Sequence, residues 1–246
     1  MTSDHQSCWI CGDAAHSREH IPKASDVRRY LGVPSQQSPL YFHTTGRKNV
    51  PVQGIRSERF RSKAPICAKC NNERTQPYDK AWEQLSAYLD ANSQPLSRKG
   101  AFNLARIFRG GSFRKHARNV HLFFVKLFGC RIAESGAPIE LARFKESLLT
   151  AVPHPNIVLA FHISTRQMPV KLVQIGAIHA AERNNMVISA GWEYSIGQIC
   201  VIVAYHCDEA LIRPYPRSWH PEMPNRVIQL ARTPYWNAPD TWHRSY

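Results

Sequence analysis

Two pairs of closely spaced cysteines are the strongest chemical signal in the sequence. Cys8 and Cys11 form one CxxC pair, and Cys67 and Cys70 form a second. Each pair can present two thiolates from a tight turn, and four thiolates complete a closed tetrahedral zinc site. Because sulfur would occupy every position, such a zinc would be structural and closed to water and substrate. A redox-active CxxC is the alternative, but it calls for a thioredoxin-like βαβ pattern, which the sequence lacks.

Other cysteine and histidine side chains are weaker candidates for ligands. His5 and His16 lie near the first CxxC pair and are alternative zinc ligands. Cys130, Cys200 and Cys207 stand in apolar or strand-like surroundings, where a free thiol behaves as a small buried hydrophobe. We assign these three cysteines no function.

A second group of reactive residue types stands beside the cysteine pairs. Glu19-His20-Ile21-Pro22 lies between the two pairs, and Asn71 follows directly after the second pair. The order CxxC, acidic residue with His-Ile-Pro, then CxxC-Asn resembles the zinc-knuckle branch of the HNH endonucleases. The resemblance covers about the first 80 residues, which is roughly a third of the 246-residue chain.

The resemblance implies a ββα-metal module that hydrolyses phosphodiester bonds. In such a module Glu19 and Asn71 would hold a catalytic Mg²⁺ or Mn²⁺ through oxygen atoms, and His20 would be the general base. The zinc would hold His20 and Asn71 in one site although they are distant in sequence. Taken singly, Glu19 also suits a helix cap or an ion pair with Arg18, and His20 a structural role.

The sequence departs from the family pattern at the middle asparagine and at the last position, which is Asn71 where the family also has His. The family has a middle asparagine that pins the loop of the catalytic histidine, and Asn49 is the one candidate between Ala24 and Ile66. Asn72 beside Asn71 leaves the register of the last motif open. Asp79 could also approach the site, although at the start of a helix it ordinarily stabilises the helix dipole.

The charge of the chain favours a polyanionic partner. Lys and Arg outnumber Asp and Glu by 32 to 18, which gives a net charge of +14, and such a charge suits nucleic acid, whose counterions are released on binding. Residues 92–133 contain no acidic residue. An anionic membrane surface is the rival partner, but no long apolar helical face stands opposite the positive charge. The candidate phosphate-binding residues are Arg56, Arg59, Arg61, Lys63, Lys69, Arg74, Arg114 and Arg118.

Periodicity predicts the elements that position these residues. A hairpin is expected from residues 40–43 and 50–55, and a helix from Pro77 to Leu89. A helix after Gly111 would turn Arg114, Arg118 and His121 to a basic face, and a further helix would start at Pro138. Strands are expected at residues 157–164, 170–178, 186–189 and 199–205, followed by a tail rich in Pro, Trp and Tyr.

The sequence therefore predicts an α+β fold with three segments. Residues 1–92 would form the zinc-knuckle HNH module, residues 93–150 a basic helical segment, and residues 151–246 a β-rich region of unknown role. No run approaches the roughly 20 apolar residues of a membrane span, and no signal pattern stands at the start, so we expect a cytoplasmic protein.

Three functions remain open from the sequence. The first is an HNH endonuclease acting on double-stranded DNA, for which one active site per chain would favour a homodimer or sequential nicking. The second is a non-catalytic nucleic-acid-binding protein with a zinc scaffold. The third is an adaptor whose basic stretch docks on an acidic protein. The set of Glu19, His20 and Asn71 favours the first, because binding alone does not need metal-ligating oxygens.

Overall fold

A computed structural model of the chain describes residues 6–44, 46–110, 113–165, 171–212, 217–233 and 244–245. The fold is mixed α+β, as predicted. The helices of these residues are α1 (Ala24–Leu31), α2 (Gln76–Ala91), α3 (Ser93–Lys99), α4 (Leu104–Ile107), α5 (Phe113–Ser135), α6 (Ala142–Thr150) and α7 (Glu209–Ile212). A 3₁₀ turn covers Glu58–Phe60, and a π-helical turn covers Lys69–Arg74 just before α2.

The strands of the same residues form a small hairpin and one large sheet. They are β1 (Leu40–Phe42), β2 (Val50–Val52), β3 (Ala101–Asn103), β4 (Ile157–Ser164), β5 (Val173–Ile175), β6 (His179–Arg183), β7 (Met186–Ile196), β8 (Ile199–His206), β9 (Ser218–Trp219), β10 (Val227–Thr233) and β11 (Arg244–Ser245). The large sheet has the order β11-β6-β7-β8-β4-β10-β3, with β5 also paired to β7 and β9 to β4. The pairing of β4 with β10 is parallel, and the other described pairings are antiparallel.

The predicted hairpin and the helix that follows the second CxxC pair are confirmed. Strands β1 and β2 are antiparallel, with Leu40 opposite Val52 and Phe42 opposite Val50. Helix α2 begins one residue before Pro77, which suits the first turn because proline has no N–H to leave unpaired. Its apolar stripe is buried and packs on α5.

The predicted strands of the last third differ in how well their bounds agree with the structure. Strand β4 has the predicted bounds, and β8 is one residue longer than predicted. Strand β7 continues to Ile196, well beyond the predicted end at Ser189, because its small and apolar residues pair along the whole length of β8. The predicted strand at residues 170–178 is confined to β5, and Val170 lies outside the described residues, as does most of the Pro-, Trp- and Tyr-rich tail.

Helix α5 is the central helix of the fold, and its surroundings overturn one prediction about its surface. Most of its 23 residues are buried, because α2 packs on one side and α6 and β4 contact it elsewhere. The prediction that His121 lies on a basic face is wrong: the ring is fully buried, and Nε2 lies 3.1 Å from the carbonyl oxygen of Ile157. Among the described residues, no helix, α5 included, is both long and apolar enough to cross a bilayer.

The predicted start of the following helix at Pro138 is also wrong, since α6 begins at Ala142. Gly136, at a positive φ of 70°, ends α5, and the Ile139 N–H donates to the carbonyl of Ala137 in a tight turn. Ala137 and Ile139 are buried in this turn, so Pro138 lies between two core residues and not in the first turn of a helix.

One hydrophobic cluster contains residues from the cysteine pairs, the central helices and the large sheet. Trp82 on α2 lies at its centre, with its ring stacked on Phe123 at 5.5 Å and edge-on to Phe124 and Tyr194. The division into segments 1–92, 93–150 and 151–246 stays a prediction, and the shared core shows that side chains of all three pack together.

Candidate functional site

The four cysteines of the two CxxC pairs converge on one point. Their Sγ atoms all lie within 4.8 Å of one another, with Cys11 and Cys67 at 3.6 Å. A tetrahedral zinc with bonds of about 2.3 Å requires sulfur atoms roughly 3.8 Å apart, so the cluster has the size of a metal site. Local turns place the thiols: Gly12, at a positive φ of 85°, donates its N–H to the Cys8 carbonyl, and the Asn71 N–H donates to the Cys67 carbonyl.

The alternative zinc ligands do not join this cluster in the described residues. His16 is not part of the group of four, and His5 lies outside the described residues. Arg74, a candidate phosphate ligand, lies against the cluster, with its Nη1 atom 3.0 Å from the Cys70 sulfur. Its guanidinium would offset negative charge on the Cys70 sulfur.

The segment that carries Glu19 and His20 pairs with the residues just before the second CxxC pair and contacts Asn71 just after it. The Ser17 N–H donates to the Ile66 carbonyl and the Ser62 N–H to the Glu19 carbonyl, so residues 17–21 run antiparallel to residues 60–66. From the π-helical turn, Asn71 Nδ2 donates to Ser17 Oγ at 2.8 Å and to the Arg18 carbonyl at 3.2 Å. Asn71 thus docks on the residue just before Glu19, although 53 positions separate it from Arg18.

Both ring nitrogens of His20 face backbone carbonyl oxygens. Nδ1 contacts the carbonyl of Pro22, and Nε2 lies 2.6 Å from that of Ile55. The ring also lies 5.6 Å from that of Phe60. A general base needs a free lone pair, so the imidazole must turn away from one carbonyl before it can accept a proton.

No middle asparagine pins the His20 loop among the described residues. Asn49 lies in the turn between β1 and β2 with a positive φ of 55°, and its N–H donates to His43. In the described part of the chain it makes no hydrogen bond to His20. The backbone of Ile55, which follows β2, orients the ring instead.

Glu19 points into the protein interior, where it pairs with a lysine that the sequence did not single out. Its carboxylate lies 2.8 Å from the Lys126 ammonium, which lies 2.7 Å from the carboxylate of Asp79 on α2. Lys126 is fully buried in α5, and Glu19 is 3% exposed. Lys23 approaches the second oxygen of Asp79 at 3.3 Å and the Glu83 carboxylate at 3.6 Å, so two ammonium groups face three carboxylates.

The protonation of this cluster follows from burial and from the neighbouring charges. Burial raises the pKa of the Glu19 carboxyl, and the Lys126 charge opposes that rise. Burial alone would lower the pKa of Lys126, but Glu19 and Asp79 together raise it above its ordinary value. The ammonium is therefore charged at neutral pH. The signal in the sequence was a lone lysine inside the apolar run of residues 122–128.

The candidate phosphate ligands lie in different settings. Beside Ser17 is an open groove of about 440 Å³ whose cationic walls are Arg18, Arg61 and Lys63, with Glu58 pairing to both arginines. Arg56, Arg59, Lys69 and Arg114 are exposed, and the Arg59 guanidinium lies over the Phe42 ring. Arg118 is half-buried, with its Nε atom enclosed and unpaired among the described residues.

A scan against protein-family models finds no match, and neither the curated proteins nor the solved structures contain a matching chain. The assignment of function therefore rests on the side chains and contacts described above.

Proposed function

We propose that the chain is an HNH-type, metal-dependent endonuclease that hydrolyses phosphodiester bonds in double-stranded DNA. The observation that supports it best is the docking of Asn71 on Arg18, beside a four-cysteine cluster, which brings the three parts of the motif together. Cys8, Cys11, Cys67 and Cys70 hold a structural zinc, because an all-sulfur tetrahedral set suits zinc and leaves no open position.

Two of the three motif side chains fit a catalytic role. Asn71 suits a divalent cation, because the residue is half-exposed and its side-chain oxygen accepts no hydrogen bond in the described part of the chain. When bound there, Mg²⁺ or Mn²⁺ supplies a Lewis acid that offsets the charge developing on the phosphate. Glu19 does not fit as the second ligand in this arrangement, because its carboxylate is buried against Lys126.

The remaining steps use the chain's own residues. His20 turns away from one of its carbonyl contacts and takes the proton of the attacking water through the freed nitrogen. Arg61 and Lys63, on the wall of the groove, bind a neighbouring phosphate and fix the strand against the site.

A non-catalytic, zinc-scaffolded nucleic-acid-binding protein is the second candidate. The observation that favours it is the contact of both His20 nitrogens with carbonyl oxygens, which is how a structural histidine is held. The basic groove would serve either function.

A cleavage assay on supercoiled plasmid with Mg²⁺ or Mn²⁺ distinguishes the two functions. We expect nicking or linearisation by the wild type, and a loss of at least ~100-fold in His20→Ala, since general base catalysis contributes about that much. His206→Ala, a histidine of the large sheet, is the matched control and should cleave like the wild type. Metal analysis must show one zinc per chain in each protein. Salt-sensitive DNA binding without cleavage by the wild type would instead establish the second candidate.

A further inference from the structure

The oxygen atoms around the Lys126 ammonium form a cation site, and the lysine itself is the cation that occupies it. Its ammonium group is bound by the Glu19 and Asp79 carboxylates at 2.8 and 2.7 Å, and the Thr75 hydroxyl lies 3.4 Å away. Two carboxylates and a hydroxyl are the oxygen donors that a hard divalent cation prefers. Here the donors come from the Glu19 segment and from the start of α2, and the cation comes from α5.

We propose that the Lys126 ammonium takes, at Glu19, the place that the family pattern gives to a divalent cation. Glu19 is then a positioning residue and not a metal ligand. The pair ties the segment carrying His20 to α2 and α5, and it keeps a motif carboxylate neutralised in the interior.

Access argues against a divalent cation at the same carboxylate. A catalytic metal must keep positions open for water and phosphate. Glu19 is 3% exposed and Lys126 is fully buried, so a ligand as large as a phosphodiester cannot reach the atoms between them.

Electrostatics argue against exchange of the lysine for a metal. Displacing Lys126 would leave its ammonium buried without a partner carboxylate, and an uncompensated buried charge strongly destabilises a protein. Lys23 already lies against the other oxygen of Asp79, so a divalent cation between Glu19 and Asp79 would stand beside a second positive charge.

Mn²⁺ binding to the zinc-loaded protein, followed by calorimetry or by the resonance of free Mn²⁺, tests the proposal without using activity. We expect Glu19→Gln to leave the Mn²⁺ affinity of the wild type unchanged within about twofold. If Glu19 were a ligand, its loss should weaken Mn²⁺ binding by at least ~10-fold, as even outer contacts of metal sites do. That result would overturn the proposal.

Lys126→Met provides the converse test. Without the ammonium, Glu19 and Asp79 should bind Mn²⁺, so this variant should gain a Mn²⁺ site at least ~10-fold tighter than any in the wild type and a Mn²⁺-dependent rise in its unfolding temperature. Lys115→Met, an exposed lysine of the same helix, is the matched control and should gain neither. A folded Lys126→Met variant that binds Mn²⁺ no better than the wild type would contradict the proposal.

A double variant keeps the test decisive if Lys126→Met does not fold. Asp79→Asn with Lys126→Met keeps the net charge and leaves Glu19 open to Mn²⁺. This double variant should therefore bind the ion, and its failure to do so would count against the proposal.

Asn71→Ala separates this inference from the proposed function. Loss of Mn²⁺ binding in Asn71→Ala, with binding retained in Glu19→Gln, supports both the proposed nuclease and this inference. A wild type that binds no Mn²⁺ contradicts the proposed nuclease but agrees with Lys126 as the internal cation.

Discussion

The Tyr194 hydroxyl donates a 2.7 Å hydrogen bond to the fully buried carboxylate of Asp26, 168 positions earlier in the chain. The same carboxylate accepts hydrogen bonds from Trp82 Nε1 and Ser86 Oγ, and it pairs with Arg29. Asp26 belongs to α1 and Tyr194 to β7, so this one carboxylate joins the N-terminal elements to the large sheet. It stands one turn after Lys23, whose N–H donates to the Tyr194 oxygen.

Tyr194→Phe should therefore destabilise the whole chain and not one end of it. The change leaves the Lys23 N–H without its acceptor and removes one donor from Asp26, which together should lower the free energy of unfolding by about 1–3 kcal/mol. Urea unfolding followed by tryptophan fluorescence and by circular dichroism measures it. Tyr41→Phe, in the exposed hairpin, should change stability by less than ~0.5 kcal/mol. Two separate transitions already in the wild type, with the network intact, would show that the network does not couple the halves.

Gly129→Ala should destabilise the protein although alanine is the better helix former. A Cβ at this position of α5 would overlap Cη2 of Trp9, the residue after Cys8 of the four-cysteine cluster. Trp9 is 6% exposed and has little room to shift, so overpacking of about 1–3 kcal/mol should exceed the helix gain of about 1 kcal/mol. Gly46→Ala meets no atom within 4 Å and serves as the control.

A double variant identifies the cause of that loss. If the indole causes the clash, Trp9→Phe combined with Gly129→Ala should be more stable than the sum of the two single changes predicts. Additive losses would indicate that Gly129 is needed for another reason.

The sequence was most informative where spacing alone defines a structure. Each CxxC pair is recognised from the spacing of two neighbouring cysteines, and the two pairs together predicted a four-cysteine cluster. Helix α2 was predicted from Pro77 and from the apolar stripe that follows it. The hairpin of β1 and β2 and the bounds of β4 followed from turn residues and from β-branched residues in the same way.

The partners of the buried Lys126 and the burial of His121 could not be predicted from the local charge pattern, because both depend on what covers α5. Lys126 and His121 lie in a stretch without acidic residues, and that composition favours a solvated basic face. In the fold, α2 and β4 contact this helix, and the partners of Lys126 are Glu19 and Asp79, which are 107 and 47 positions away in sequence. A local charge pattern has no information about such partners.

Zinc should be required for the folded state of the N-terminal elements. The segment before α2 has little regular structure of its own, and closed thiolate sites contribute their binding free energy to folding. We expect one zinc per chain by elemental analysis, its loss in Cys67→Ser, and a lower unfolding temperature on chelation. Cys207→Ser, an exposed cysteine outside the cluster, should keep the zinc. Retention of zinc by Cys67→Ser would contradict the four-sulfur site.

Acid should destabilise the protein through two buried histidines, His121 and His154, which lie beside His220 between α5 and the sheet. His121 and His220 meet edge to face at 4.8 Å, and His220 Nε2 lies 3.3 Å from the carbonyl of His154. Burial, with Arg143 and His220 nearby, lowers the pKa of His154 to about 3, and burial lowers that of His121 well below its ordinary value.

The sign of the effect follows from these depressed values. The unfolded chain binds a proton at His121 and at His154 below about pH 6.5, whereas the folded chain keeps these two rings neutral, so stability is present above that pH and falls as the pH drops towards 3. Each such histidine should contribute a slope of about 1.4 kcal/mol per pH unit. His154→Asn keeps an acceptor for the Asn156 N–H and should flatten the curve measured between pH 6 and 4, while His43→Asn should not. Equal slopes in the two variants would exclude His154 as a cause.

The groove beside Ser17 should contribute measurably to the salt dependence of DNA binding. Arg61 and Lys63 line it with Arg18, and each phosphate contact that is lost should reduce the slope of log affinity against log salt by about 1. Arg61→Gln with Lys63→Gln should therefore lower the slope by about 2, equally for DNA of different sequences, because phosphate contacts carry no sequence information. Arg183→Gln, an exposed arginine at the end of β6, should leave the slope unchanged. An unchanged slope in the double variant would place the DNA elsewhere, with the exposed Arg114 near the start of α5 as the next position to test.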